Sequence, residues 1–273
     1  MAGCNYDCSS CSSKCEKKDF LIKTNKYSDI KKVIGIVSGK GGVGKSLVGS
    51  MLAVDSAKLG YKTCILDGDI LGPSITKMFG IKQKAFGVQR GQFIYPANTS
   101  LNIDVISSAM LLENDDDPII WRGSMVSNIL KQFYTDVIYG QQDIMFIDMP
   151  PGTGDVPLTI FQSVPLNGIV IVTSPQDLVS MIVEKAVKMA KMMNIPILGI
   201  VENYSYITCP DCGKQIRVFG KSKVEEKAKE HNIPYYISLP IDPNIATLCD
   251  KGAIEQNDKE YFNDLIKHIF KEN

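Results

Sequence analysis

The sequence predicts an α/β fold, a mostly parallel sheet with helices on both faces, and three observations predict it. Six short apolar, β-branched runs, at residues 33–37, 63–66, 103–106, 144–147, 169–173 and 197–201, are continuous rather than alternating, as strands buried on both faces are. Segments of helical length separate or follow them, at residues 45–59, 118–139, 156–162, 176–193 and 221–231. Such alternation builds right-handed crossovers and a parallel sheet. Finally, the first run passes through a glycine-rich loop straight into the first helical segment, and ligands of open α/β sheets bind beyond the carboxyl ends of the strands.

Taken in order, residues 1–29 are rich in Ser, Lys and Cys and lack either period, so they are expected to form a tail without a core of its own. Residues 30–273 are expected to form one domain. Within the tail, Cys4, Cys8, Cys11 and Cys15 lie close enough to surround one soft metal centre, either a [4Fe–4S] cluster or a tetrahedral Zn²⁺. The strand at 63–66 runs into Asp67-Gly68-Asp69. Residues 80–102, alternating around 92–95, read as a small hairpin or edge insertion. Asp115-Asp116-Asp117 before Pro118 reads as the acidic first turn of a helix. The run at 144–147 ends in Asp148, and the run at 197–201 leads to Asn203 and a loop near 203–220 that contains Cys209-Pro210-Asp211-Cys212. In the last segment Phe262, Leu265, Ile266, Ile269 and Phe270 share one helical face. Asp258, Glu260, Asp264 and Glu272 balance its lysines, so that face is expected to pack on the core rather than lie on a membrane.

Composition narrows the function classes. With 273 residues, 44% of them hydrophobic, the chain can bury a sizeable core. Its 30 Lys and Arg equal its 30 Asp and Glu, so no global field draws it to nucleic acid or to an anionic membrane. The first thirty residues hold no apolar signal region and no run reaches the length of a membrane span, so a cytoplasmic location is expected. Six of the eight cysteines fall in two tight clusters, and a reducing compartment favours metal ligation over disulfides. Cys64 and Cys249 stand alone in apolar surroundings and are expected as buried small hydrophobes.

The loop Ser38-Gly39-Lys40-Gly41-Gly42-Val43-Gly44-Lys45-Ser46, followed by Leu47, matches G-x-x-x-x-G-K-[ST]. Glycines let consecutive N–H groups turn inward around phosphates, Lys45 reaches the β- and γ-phosphates, and the Ser46 hydroxyl coordinates Mg²⁺. The following helix adds the positive end of its dipole. Asp148, ending an apolar strand, occupies the position of the carboxylate that holds Mg²⁺ directly or through water. Cys209 and Cys212 have the spacing of one face of a metal site and equally of a redox pair.

Lys40, a second lysine directly after the first glycine, makes the loop resemble the deviant Walker A of the MinD, ParA and nitrogenase-iron-protein group. Leu66-Asp67-Gly68-Asp69-Ile70-Leu71-Gly72-Pro73-Ser74, Ile147-Asp148-Met149-Pro150-Pro151-Gly152-Thr153-Gly154-Asp155 and the Cys209–Cys212 motif are similar to its Mrp/ApbC branch of iron–sulfur cluster carriers. The resemblance implies a homodimeric ATPase that uses ATP and Mg²⁺, takes a labile [4Fe–4S] cluster from a donor and delivers it to apo-proteins. It implies that Lys40 reaches the partner's phosphates and that Asp67 and Asp69 belong to switch I. Asp69 is then assigned to orienting water and Asp67 to a lesser polar or Mg²⁺-linked role, a division that the residues leave open. It implies an adenine-reading Asn203, although Tyr204 stands where Met is usual. Two cysteines are too few ligands for a cluster, and a two-fold axis brings Cys209 and Cys212 of both protomers to one [4Fe–4S] centre. A spatial-organising ATPase of the MinD/ParA kind and an ATP-dependent electron donor are the rival readings.

Overall fold

The computed structural model describes residues 21–70, 72–85, 87, 88, 92–112, 123–152, 154–175 and 179–271. In chain order these form β1 (Ser28–Ser38), α1 (Lys45–Lys58), β2 (Thr63–Asp67), α2 (Ile75–Met78), β3 (Gly87–Val88), β4 (Phe93–Ile94), β5 (Ala97–Asn98) and β6 (Asp104–Ile106). Then come α3 (Gly123–Asp136), β7 (Gly140–Asp148), α4 (Asp155–Ser163), β8 (Gly168–Thr173), α5 (Val179–Met192) and β9 (Ile197–Thr208). The chain closes with β10 (Gln215–Ile216), α6 (Val224–Glu230), β11 (Tyr235–Pro240), α7 (Pro243–Asp250) and α8 (Asn263–Lys271).

The main sheet runs β10-β9-β8-β1-β7-β2-β6-β5, with β11 on the other side of β9. All its pairings are parallel except the short antiparallel additions β5 and β10. Continuous apolar strands are explained by two separate cores, one on each face. Val33, Leu66 and Ile147 point into the layer made with α3, α4 and α5, while Ile34, Ile65 and Phe146 point into the layer with α1 and α8. Both are buried, so alternation along the strand never reaches water.

Register places the chemistry. Asp67 pairs with Asp148 across β2 and β7, and Ile36 of β1 pairs with Asp148 on the other side. The ends of three adjacent strands therefore meet beside the loop that enters α1.

All six expected strands form, and the five expected helical segments overlap α1, α3, α4, α5 and α6. The expected boundary at residue 30 falls inside β1, which opens at Ser28. Before it, Ile22 packs against the core and donates its N–H to the Ser163 carbonyl (2.8 Å), and the Asn25 amide bonds the carbonyls of Thr135 and Val137 (2.9 and 2.8 Å). The insertion at 80–102 holds an antiparallel hairpin, β3 with β4, and the edge strand β5. Phe262, just before α8, and Leu265, Ile266 and Ile269 on it are buried and Phe270 stacks on Tyr61, so the apolar face meets the core as expected. Among the described residues no helix is long and apolar enough to cross a membrane. Residues 1–20, with Cys4, Cys8, Cys11 and Cys15, lie outside the described residues, as do Leu71, Asp115–Asp117, the expected helix start at Pro118, and Thr153.

Candidate nucleotide site and cysteine hairpin

The loop closes at Gly44, which caps α1 with φ 79°, in the left-handed region. Glycine is required there twice over, since a Cβ would also lie 2.2 Å from the Asn203 Nδ2 and 3.0 Å from the Tyr204 hydroxyl. Asn203 is the floor of the loop. It is 2% exposed, donates from Nδ2 to the Val43 carbonyl (3.1 Å) and accepts at Oδ1 from the Tyr204 N–H (3.0 Å). Its expected base-reading amide is thus bonded to the loop, although the residue also lines the small cavity described below. Asn203 was expected at a strand end, yet β9 continues to Thr208 because β11 and β10 keep pairing with it.

Inside the site Lys45, 5% exposed, lies 2.6 Å from the Asp148 Oδ1 and 3.8 Å from the Asp69 Oδ2. Ser46 Oγ donates to the other Asp148 oxygen at 2.5 Å. A hydroxyl and a carboxylate converging from α1 and β7 form a pair of hard oxygen donors, which fits Mg²⁺. Burial raises the Asp69 carboxyl above its ordinary range, the Lys45 ammonium opposes that shift and Asp148 adds to it.

Asp67 has no exposed surface, and its carboxylate accepts from the Ser107 hydroxyl (2.9 Å) and from the N–H groups of Asp69 (3.3 Å) and Ile75 (3.4 Å). Burial first, and then the neighbouring Asp148, push its carboxyl up. It braces β2 against α2 and the end of β6, and of the two switch carboxylates it is Asp69, not Asp67, that lines the cavity. Gly68 completes this brace: its N–H donates to the Asp148 carbonyl (2.8 Å), which a Cβ would approach to 2.6 Å.

A cavity of about 410 Å³ opens over the loop, lined by Lys40, Lys45, Ser46, Asp69 and Tyr204 and, from α7, by Cys249 and Asp250. A second, of about 160 Å³ and mainly apolar, adjoins it and shares Leu47, Tyr204 and Ala246, with Asn203, Pro240 and Ile245 among its other walls. Sequence reasoning missed α7 and β11. The signals were present: Asp242 caps α7 through the Asn244 N–H and Pro243 takes its first turn, while Tyr235-Tyr236-Ile237 is bounded by prolines. Cys249 therefore borders the cavity half-buried, whereas Cys64 is fully buried as expected.

Beyond Tyr206, the last of its residues paired with β11, β9 continues and turns back as β10, pairing Thr208 with Gln215 and Ile207 with Ile216. Cys209 and Cys212 sit in that turn, closed by bonds from the Gly213 N–H to the Cys209 carbonyl and from the Cys209 N–H to the Lys214 carbonyl (both 3.0 Å). Both thiols are free, Cys212 is exposed, and the N–H groups of Cys212 and then Asp211 hold the Cys209 thiol below its usual range. That favours the thiolate, the form that binds metal. Ile207 and Ile216, paired beside the turn, and Val218 and Phe219 on the returning arm are all exposed. At its base the hairpin is pinned to buried Glu202, whose carboxylate accepts from Ser205 (2.5 Å) and from Ser222 on the returning arm (2.9 Å).

Residues 29–272 match the family described as NUBPL iron-transfer P-loop NTPase. The chain belongs to that family. An iron-sulfur cluster carrier protein of Clostridium perfringens is 45% identical over 267 residues, covering 95% of this chain and 91% of that one. One of Methanocaldococcus jannaschii is 40% identical, covering 98% and 97%. Among solved structures, the nucleotide-binding protein of Archaeoglobus fulgidus in complex with ADP aligns with TM-score 0.77 at 40% identity, covering 86% of this chain and 91% of that one. The Pyrococcus furiosus cell division ATPase MinD aligns with TM-score 0.60 at 20% identity, covering 88% and 98%, a likeness of fold alone. For this NUBPL-type P-loop NTPase, the matched span contains the whole loop, both cavities and the cysteine hairpin.

Proposed function

We propose that this chain is a cytoplasmic, homodimeric ATPase that carries a [4Fe–4S] cluster as cargo on Cys209 and Cys212, receives it from a donor and passes it to apo-proteins. One observation carries the reading: the exposed cysteine turn is the direct continuation of the strand that braces the phosphate loop, so nucleotide and cargo share one element. Relatives at 40–45% identity named as cluster carriers, and one crystallised with ADP, support it.

In this reading the glycines and N–H groups of residues 39–46 cradle the phosphates and Lys45 neutralises them. The adjoining apolar cavity takes the base, with Leu47 and Asn203 in its wall. Ser46 and Asp148 hold Mg²⁺, which when bound neutralises charge on the phosphate oxygens. Asp69, on the cavity wall beside Lys45, orients the attacking water. Lys40, at the cavity rim, serves the partner protomer's phosphates, as a finger supplied in trans does. Two thiols per chain leave a cluster half-ligated, so a second copy completes it, and the apolar rim of Ile207, Ile216, Val218 and Phe219 gives that copy something to bury. Cys4, Cys8, Cys11 and Cys15 are proposed to hold a second cluster or zinc.

The test is anaerobic reconstitution with iron and sulfide, read by Mössbauer spectroscopy and iron counting on the full chain. Cys209→Ser and Cys212→Ser should each remove about four irons per two chains, with ATP binding retained. Unchanged iron in both variants would refute the cargo site.

A further inference from the structure

Four non-glycine residues among those described have positive φ: Asn102, Asn194, Asn232 and Tyr204. Asparagine tolerates that region, and an aromatic side chain does not. Tyr204, at φ 61°, is the exception, and it lies inside a strand. The pairing of β9 with β11 slips at this point: Ser238 faces Glu202, yet Pro240 faces Tyr206, so the strand bulges around Asn203, Tyr204 and Ser205. A bulge re-aims side chains that regular pleating would send to a sheet face. Here it turns Asn203 under the loop and brings the Tyr204 hydroxyl to Gly44, and Tyr204 lines both cavities.

We propose that Tyr204 is a positioning residue that transmits occupancy of the nucleotide site to the cysteine hairpin. The inference rests on reading residues 39–46 as that site. A nucleotide spanning the two cavities meets the Tyr204 ring, because the ring belongs to the wall of each. The backbone beneath it is the twisted point of β9, where the amide is bonded to the Asn203 side chain. Cys209 follows five residues on, about 17 Å along a strand. The Glu202 carboxylate, holding Ser205 and Ser222, ties the two arms of the hairpin together across Tyr204, so a turn at Tyr204 bears on both arms at once.

The test uses the full, reduced, iron-free chain. Alkylation of Cys209 and Cys212 by iodoacetamide is followed by mass spectrometry with and without saturating Mg²⁺ and a non-hydrolysable ATP analogue, whose binding is measured separately by calorimetry. In the native chain the analogue should change the alkylation rate by at least about fivefold, the lower range of coupling between two sites. Tyr204→Phe, which keeps the ring, should retain the effect. Tyr204→Asn and Tyr204→Gly tolerate the left-handed backbone but remove the ring; at analogue concentrations that calorimetry shows to saturate each variant, they should bring the effect below about twofold. Using two such variants guards against one failing to fold. A merely structural role would not separate Phe from Asn in this ratio. A native chain that binds the analogue with no change in alkylation overturns the proposal and leaves the nucleotide site standing. An Asn or Gly variant with the full effect also overturns it. Absence of binding to the native chain refutes the site itself.

Discussion

Replacing Gly44 with alanine tests the packing of Asn203 against the loop. The substitution forces a side chain into the left-handed region, at about 1–2 kcal/mol. It also sets a methyl 2.2 Å from the Asn203 Nδ2, an atom that cannot retreat without releasing the Val43 carbonyl. Loss of that buried hydrogen bond adds about 1–3 kcal/mol. The sum, about 2–5 kcal/mol, is a large part of the stability of an ordinary domain. Gly42→Ala is the control, because Gly42 has φ +80° but no atom within 4 Å of its Cβ position, so only the backbone cost applies. Urea unfolding of the two variants should therefore separate them by the hydrogen-bond contribution, and calorimetry should show ADP binding lost in Gly44→Ala. In the double variant Gly44→Ala/Asn203→Ala the clash is gone, so its cost should fall short of the sum of the singles by at least about 1 kcal/mol. Equal costs for the two glycine variants, or strict additivity of the double, would refute the argument.

Lys45→Ala leaves Asp148 and Asp69 without the cation between them, and ATP hydrolysis should fall by roughly 10²–10³, as on loss of one aligned charge donor; native-like turnover would remove the loop from the mechanism. Asp55, on α1, is fully buried, and burial, opposed by the Phe262 N–H, raises its carboxyl from 3.8 to about 6. The folded state therefore holds that proton more tightly than the unfolded one, so stability from this group is present below the unfolded value and is lost as pH rises through about 4 to 6. Asp55→Asn should flatten that fall in denaturant titrations at several pH values, and an unchanged slope would exclude Asp55 as its source. Asn25→Ala removes two bonds to the end of α3 and should cost about 1–3 kcal/mol in urea unfolding; no loss would mean that the segment before β1 adds nothing to the domain.

Local pattern carried the architecture. Continuous β-branched runs identify doubly buried strands wherever they stand, and the loop from Gly39 to Ser46 identifies a phosphate cradle because its spacing is a property of adjacent residues. Strand ends at Asp67 and Asp148 were legible for the same reason. The cysteine pair was legible as a motif, but its place at the tip of a hairpin was not, because β9 continues past residue 201 only where β11 and β10 supply partners. Asp67 and Asp69 stand two residues apart in a stretch that reads uniformly polar, yet one is sealed under Ser107 and α2 while the other faces the cavity. Cys249 looked like any small apolar residue until α7 folded over the loop. The bulge that aims Asn203 and Tyr204 arises from a mismatch with a strand some thirty residues later. Periodicity and spacing record what neighbours in the chain require, whereas which polar group loses its water is decided by segments distant in sequence, and only the folded chain brings those together.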